Sequence, residues 1–377
     1  MEAQTFSYTP QTGWSVSEFP VLDSKQTLVI VFGAPEYIEN PAPIQELAQA
    51  YPQSQIVGCS TAGEIFGTSI NDHSLSVAVI KFERTRLATA VTPIETAETS
   101  YQAGSTIAHK LIGSDLRAVF ILSDGIHVNG SELVRGINAI LPGNVIVTGG
   151  LAGDGDRFER TWVLKDGKPQ SGFISAVGLY GENIHVGHGS KGGWDIFGPE
   201  RRVTRSRGNI LYELDGQPAL QLYKEYLGER AAELPASALL FPLALRSNSN
   251  DEKQIVRTIL AINEADQSMT FAGDIPEGSL AQLMKANFDR LIDGASEAAL
   301  MTHPPANTPV VSVAISCVGR RLVMGEYTEE ELEATLEALP VGVHQIGFYS
   351  YGEISPYASG HCDLHNQTMT LTTFAEI

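Results

Sequence analysis

The chain has 377 residues, 43% hydrophobic and 18% charged. That is apolar material for two or three packed domains, with too little charge for a disordered chain. Its 44 acidic residues against 25 basic ones give a net charge of −19, which repels phosphate backbones and anionic headgroups and leaves nucleic acid and membrane surfaces out of the expected partners.

Residues 1–24 read as a lead-in segment, and their first ten, MEAQTFSYTP, lack the basic start and apolar stretch of a signal peptide. Residues 28–33 (LVIVFG) are a β-branched apolar run and predict a buried strand. A helical stretch at 44–50 follows, then Pro52, a short strand at 55–57, the glycine loop 58–65 (GCSTAGEI) and a strand at 75–82. The same order returns as strand 118–122, helix 131–140, Pro142, strand 145–147 and loop 149–154 (GGLAGD). Pro52 and Pro142 are 90 positions apart, and so are Gly63 and Gly153. Between this unit and the next, strands are expected at 203–204, 239–245, 255–262 and 269–272, with a helix at 218–227 and a long one at 279–301. A third copy has strand 310–316, a helix at 328–339 with Thr328 as its cap, Pro340, strand 343–346, loop 347–354 (GFYSYGEI) and strand 368–374. The longest apolar run, 310–318, is far short of the ~18 residues that a membrane span needs. Strands joined through helices imply right-handed crossovers. The expected fold class is α/β: two domains built from a repeated strand–helix–strand–glycine-loop unit, helices packed on mixed sheets.

Several stretches carry a family resemblance: GCSTAGEI (58–65), GGLAGD (149–154), GWDIFGP (193–199), ELDG (213–216), GDIPEGS (273–279), and the ending GFYSYGEISP with CDLHN (362–366). In this order they resemble the FIST family of signal-transduction proteins. The resemblance implies a FIST N-terminal domain at 25–225 and a C-terminal one at 226–377. It also implies a sensor of small ligands, with amino acids the usual suggestion. Some members carry haem, respond to nitric oxide, and act through histidine kinases or cyclic-di-GMP enzymes. With no output domain visible here, the signal would pass in trans to a histidine kinase or a diguanylate cyclase or phosphodiesterase.

The glycine loops follow buried strands, where crevices form, and glycine lets a backbone approach a ligand with free N–H groups. Ser60, Thr61, Gly63, Gly150 and Ser350 are therefore candidate ligand contacts. Glu64, Glu353 and Asp154 follow the loop glycines and would hold a ligand amine; read structurally, they cap nearby helices. Ser123 and Asp124, at a strand end in the second copy, would line the same crevice, with Trp162, Trp194, Tyr349 and Tyr351 as aromatic walls or core. The loops lack the lysine and spacing of a phosphate-binding loop.

Two further readings stay open. Cys59 or Ser60, on a sharp turn, would be the nucleophile of a hydrolase-like enzyme, although GCSTAG is not GxSxG and no histidine is identifiable as its base. Alternatively, His361 and His365 would be axial ligands of a b-type haem in a nitric-oxide sensor. His185 and His188, three apart on a strand, face opposite sides and make a poor pair. Three cysteines (Cys59, Cys317, Cys362) without CxxC spacing fit a reduced, cytoplasmic protein rather than a disulfide framework. The leading expectation is a non-enzymatic, ligand-binding sensor.

Overall fold

The computed structural model describes residues 1–234, 236–250, 254–357 and 360–377. It is a mixed α/β structure in which three sheets share one pairing pattern. In the first, Thr27–Gly33 runs parallel to Gln55–Ser60 and antiparallel to Leu75–Lys81. In the second, Leu116–Ser123 runs parallel to Ile146–Leu151 and antiparallel to Phe173–Tyr180. In the third, Val311–Cys317 runs parallel to His344–Ser350 and antiparallel to Met369–Glu376. The leading strands Thr27–Gly33 and Val311–Cys317 are buried along their whole length. That burial explains why they read as continuous apolar runs rather than alternating ones.

The sheets are tied together by exchange. The hairpin strand after each glycine loop leaves its own sheet and adds to another: Glu64–Phe66 to His344–Ser350, Val163–Lys165 to Gln55–Ser60, and Gly352–Pro356 to Ile146–Leu151. The cycle closes, so each sheet both lends and borrows a strand. Each hairpin returns through one residue in the left-handed region just before the next core strand: His73 (φ 61°), Gly172 (φ 74°) and Gln367 (φ 60°). All three sheets feed one apolar core, with Phe32 against Phe348 (centroids 4.6 Å apart) and Phe120 against Phe374 (5.9 Å).

Residues 195–285 form an inserted unit with its own core around Val203, Leu211, Leu220, Tyr223, Met269 and Phe271. Its long strand Asp195–Arg207 pairs with Leu280–Lys285 and with Ile210–Leu214, and helix Ala219–Leu227 covers the sheet. Residue 225 lies inside that helix.

Several elements differ from expectation. The helix expected at 279–301 is two elements, strand Leu280–Lys285 and helix Phe288–Leu300, because residues 280–285 sit between two partner strands. Asn287 starts the helix by accepting the Arg290 N–H. The strand expected at 239–245 is reduced to Leu243–Arg246 behind a 3-10 turn, and 255–262 splits into Ile255–Arg257 and Ile259–Asn263. Thr328 does not cap its helix; it is the first helical residue, and its hydroxyl donates to the Gly325 carbonyl. The lead-in segment contains strand Glu2–Thr9, paired with Leu75–Lys81. Among the described residues no helix is long and apolar enough to cross a membrane.

Candidate functional site

The glycine loops meet where the three parallel strand pairs end. Ala62 N–H donates to Tyr349 O (2.8 Å) and Tyr349 N–H returns the bond to Gly63 O (2.9 Å). Gly153 N–H donates to Ser60 O (3.0 Å), Tyr351 N–H to Leu151 O (3.2 Å), and Gly150 pairs across strands with Glu353. Gly63 has φ +133°, and a Cβ there would stand 2.4 Å from the Arg321 guanidinium. The loops therefore converge as the sequence suggests, but they interlock and fill the space between them.

The loop carboxylates need correcting on this ground. Glu64 is buried; Thr61 Oγ1 donates to one oxygen, and Ser74 N–H and Oγ donate to the other, both at 2.9 Å. Glu353 repeats the arrangement, with Ser350 Oγ at 2.7 Å on one oxygen and Thr368 N–H (3.2 Å) and Oγ1 (2.8 Å) on the other. Each is a clasp from loop to returning strand, and neither offers an oxygen to a ligand amine. Burial pushes the Glu64 carboxyl up to about 7 and that of Glu353 up to about 8, against the bonds that favour the ion.

Asp154 and Asp124 are clasps of another kind. Asp154 accepts the N–H groups of Phe158, Glu159 and Arg160 at 2.8–2.9 Å and the hydroxyl of Tyr351. Burial works to raise its pKa, but these donors hold it below the usual carboxylate range. Asp124 accepts from Ile126 N–H and His127 N–H at 2.8 Å and from Gly172 N–H at 3.0 Å. Ser60 Oγ accepts Trp162 N–H at 3.0 Å, and Ser123 is buried with its hydroxyl unpartnered.

One layer outward, a cavity of about 460 Å³ opens between the junction and the inserted unit. Core residues Phe158, Cys317, Leu322 and Tyr351 line one side; Leu234, Leu239, Thr258, Ile259 and Leu260 line the other. It lies at the carboxyl end of strand Val311–Cys317, where open sheets gather ligands. The Phe158 ring stacks on Tyr351 with centroids 4.3 Å apart and planes 13° apart. Asp154 thus acts on the cavity indirectly, by holding the loop that carries Phe158. The Thr258 hydroxyl is buried on the cavity wall without a hydrogen-bond partner among the described residues. The charged side chains in the lining, Asp156 and Glu233, are exposed and both acidic.

None of the ten residues picked from the sequence as ligand contacts lines this cavity; of the four aromatic candidates, Tyr351 does. Trp162 is core, Trp194 donates its indole N–H to Gln367 O (2.7 Å), and Tyr349 donates to Glu331 (2.8 Å). Cys317 was legible only as an isolated cysteine, and Thr258 and Phe158 carried no motif; what places them together is the fold of residues 195–285 over the core.

The nucleophile candidates are sealed. Cys59 and Ser60 are fully buried, and burial pushes the Cys59 thiol well above its usual pKa. The two haem candidates do not share a pocket: His361 is exposed, whereas His365 is buried with Nε2 3.0 Å from Ser355 O. Among the described residues no cluster of three His, Cys, Asp or Glu could hold a metal ion. His185 and His188 each have a buried, unpartnered Nδ1, and burial lowers the His188 pKa.

Comparison with known proteins identifies the family. The FIST N domain matches residues 27–217 and the FIST C domain residues 219–356. An uncharacterized protein of Mycobacterium tuberculosis is 24% identical over 375 residues, spanning 93% of this chain and 91% of that one. An uncharacterized protein of Methanocaldococcus jannaschii is 24% identical over 350 residues, spanning 81% of this chain and 65% of that one. Among solved structures, a cyanuric acid hydrolase from A. caulinodans covers 99% of both chains at 9% identity, with a TM-score of 0.35, too loose to carry an inference. FIST domains are associated with small-ligand sensing in signal transduction.

Proposed function

This chain belongs to the FIST family, and from that premise we propose that it is a cytoplasmic sensor whose ligand binds in the cavity between the inserted unit and the core. The observation that carries the reading is the cavity itself: about 460 Å³, walled mainly by apolar side chains, with one unpartnered buried hydroxyl at Thr258. Its size and its few polar groups are those of a small-molecule site. Among the described residues the charges in its lining are acidic, which favours a ligand with an apolar body and an amine, an apolar amino acid or similar compound, over a phosphate. Because the two walls belong to different units, a ligand touching both favours the closed arrangement, and a partner able to distinguish the two arrangements reads the signal. That partner acts in trans, as a histidine kinase or a cyclic-di-GMP enzyme.

The reading is of a binding protein without a reaction of its own. It is supported by the sealing of Cys59 and Ser60 and by the thiol of Cys317, which faces the cavity but is pushed up to about 12 by burial and stays protonated and inert. The three cysteines are buried and none is paired with another, consistent with a reducing compartment. A thermal-shift screen of amino acids and apolar amines tests the reading, since a ligand of the folded state raises the melting midpoint. Stabilisation that disappears in Thr258→Val and Phe158→Ala supports it; a panel that never stabilises the wild type, or stabilises both variants equally, rejects it.

A further inference from the structure

Among the described residues two arginines are buried, and they are treated differently. Arg320 is fully buried and has a carboxylate: its Nε and Nη2 donate to Glu331 Oε2 at 3.0 and 2.7 Å, and Nη2 also reaches Leu291 O at 2.9 Å. Arg257 is 6% exposed and has only carbonyls. Its Nε donates to Asp274 O (3.2 Å) and its Nη1 to Val256 O (3.2 Å) and Leu364 O (3.0 Å), while Nη2 bonds to none of the described residues. A buried guanidinium without a counter-charge in contact is costly, and the fold shows at Arg320 how it meets that cost. Burial outweighs the more distant charges of Asp274 and Asp363 and pushes the Arg257 pKa down to about 10, so the group is still a cation at neutral pH.

Arg257 lines a second cavity of about 650 Å³, between the inserted unit and helix Gly130–Asn138. The chain gives Ile255 and Arg257 to this cavity and the next three residues, 258–260, to the first. The other cations among the described lining residues are occupied: Arg135 pairs with Glu132 at 2.5 Å and Arg246 with Glu200. The Ser131 hydroxyl accepts Asp274 N–H (3.2 Å), which leaves its own proton to donate. Asp274 Oδ1 accepts from Asn129 at 2.9 Å, and Glu277 is exposed in the lining.

We propose that this second cavity binds a small organic carboxylate, which supplies the counter-ion that Arg257 lacks. One carboxylate oxygen takes the free Nη2 edge and the other takes the Ser131 hydroxyl, a charge-assisted pair stronger than bonds to carbonyls. Among the described lining residues three acids (Glu132, Asp274, Glu277) balance three arginines (Arg135, Arg246, Arg257). Of these arginines Arg257 alone has no carboxylate in contact, so the site offers one uncompensated guanidinium without a surplus of positive charge. That suits a single carboxylate and disfavours a phosphate dianion. The inference stands independently of the ligand in the first cavity.

The test is isothermal titration of the full chain with sodium benzoate and with sodium succinate, at ionic strength fixed by chloride, with inorganic phosphate as the competing probe. Saturable binding of a carboxylate is expected, weakened at least about tenfold in Arg257→Met and about two- to fivefold in Ser131→Ala, and unchanged in Thr258→Val. If Arg257→Met does not fold, Arg257→Lys keeps the charge and stem but loses the fork, and is expected to weaken binding by about the same factor. The proposal is overturned if neither carboxylate binds saturably, if phosphate binds as tightly, or if Arg257→Lys and Ser131→Ala both bind like the wild type.

Discussion

The glycine-loop junction and the cavity beside it share a wall and are built on opposite principles. At the junction, Glu64, Glu353, Asp154 and Asp124 are buried and saturated with donors from the chain itself. In the cavity the walls are mostly apolar, a buried hydroxyl goes unpartnered, and apolar side chains such as Phe158 and Leu322 remain about half exposed. The lesson is that the most polar and glycine-rich place in this chain is its tightest knot, while the place with room for a ligand is chemically plain. Polar residues gathered on strand ends mark a ligand site only when some of their bonding capacity is left over within reach of a ligand. Here the chain consumes that of the four carboxylates, and the unpartnered Ser123 hydroxyl is buried away from solvent.

The contrast predicts unequal tolerance to substitution. Gly149→Ala should be the most damaging change, because φ is +144° and the new Cβ would stand 1.8 Å from Ile121 O. Overpacking against backbone that cannot give way costs about 3 kcal/mol or more, read from the shift of a denaturant midpoint. A smaller but still clear effect is expected at the cavity. Phe158→Ala removes an exposed wall, so it should weaken ligand binding roughly tenfold, about 1.4 kcal/mol, while moving the melting midpoint of the empty protein little.

The clasps make a prediction about pH. The carboxyls of Glu64 and Glu353 are raised in the folded protein from an ordinary 4.5 to about 7 and about 8. A raised acid holds its proton more tightly when folded, so its contribution to stability is complete below pH 4.5 and is lost as pH rises through 7 and 8. The melting midpoint should therefore fall between pH 5 and 8.5. Glu64→Gln and Glu353→Gln should flatten that slope, because an amide can donate to the Thr61 or Ser350 hydroxyl while its oxygen keeps the bonds from Ser74 or Thr368. A profile as steep in the double variant as in the wild type would mean the clasps are ionised throughout. The smallest effect is expected for Thr258→Val in the empty protein: replacing an unpartnered buried hydroxyl with a methyl should leave stability within about 1 kcal/mol or raise it slightly.

Much of the core was legible because its strands are buried on both faces and read as uninterrupted apolar runs, and because proline and glycine recur at matching offsets. The exchange of hairpins between sheets was not legible, since pairing partners hundreds of residues apart leave no local pattern. Residues 280–285 (LAQLMK) read as helix because Leu, Ala, Gln, Met and Lys favour it; strand partners on both sides override that preference. Residues 100–111 form a helix that sequence reading missed, with Gly104 in mid-helix. The glycine is there for packing, since a Cβ would meet Leu133 O of the neighbouring helix at 2.2 Å. The glycine loops were found where expected, but their role was misjudged, because sequence shows which polar groups are present and not which are already bonded. Arg257 and Thr258 lie in a stretch with no motif, and only the packing of residues 195–285 over the core gives them a role.

The central claim is that the ligand occupies the cavity and not the junction. The most direct test is titration calorimetry of the ligand that stabilises the wild type, comparing Leu322→Trp with Glu64→Gln. Leu322 lines the cavity and is 49% exposed, so an indole there fills ligand space without disturbing the core. The account predicts that Leu322→Trp loses at least about tenfold in affinity with its melting midpoint unchanged, while Glu64→Gln binds within about twofold of wild type. Full affinity in Leu322→Trp together with lost affinity in a folded Glu64→Gln would contradict it and return the site to the glycine loops.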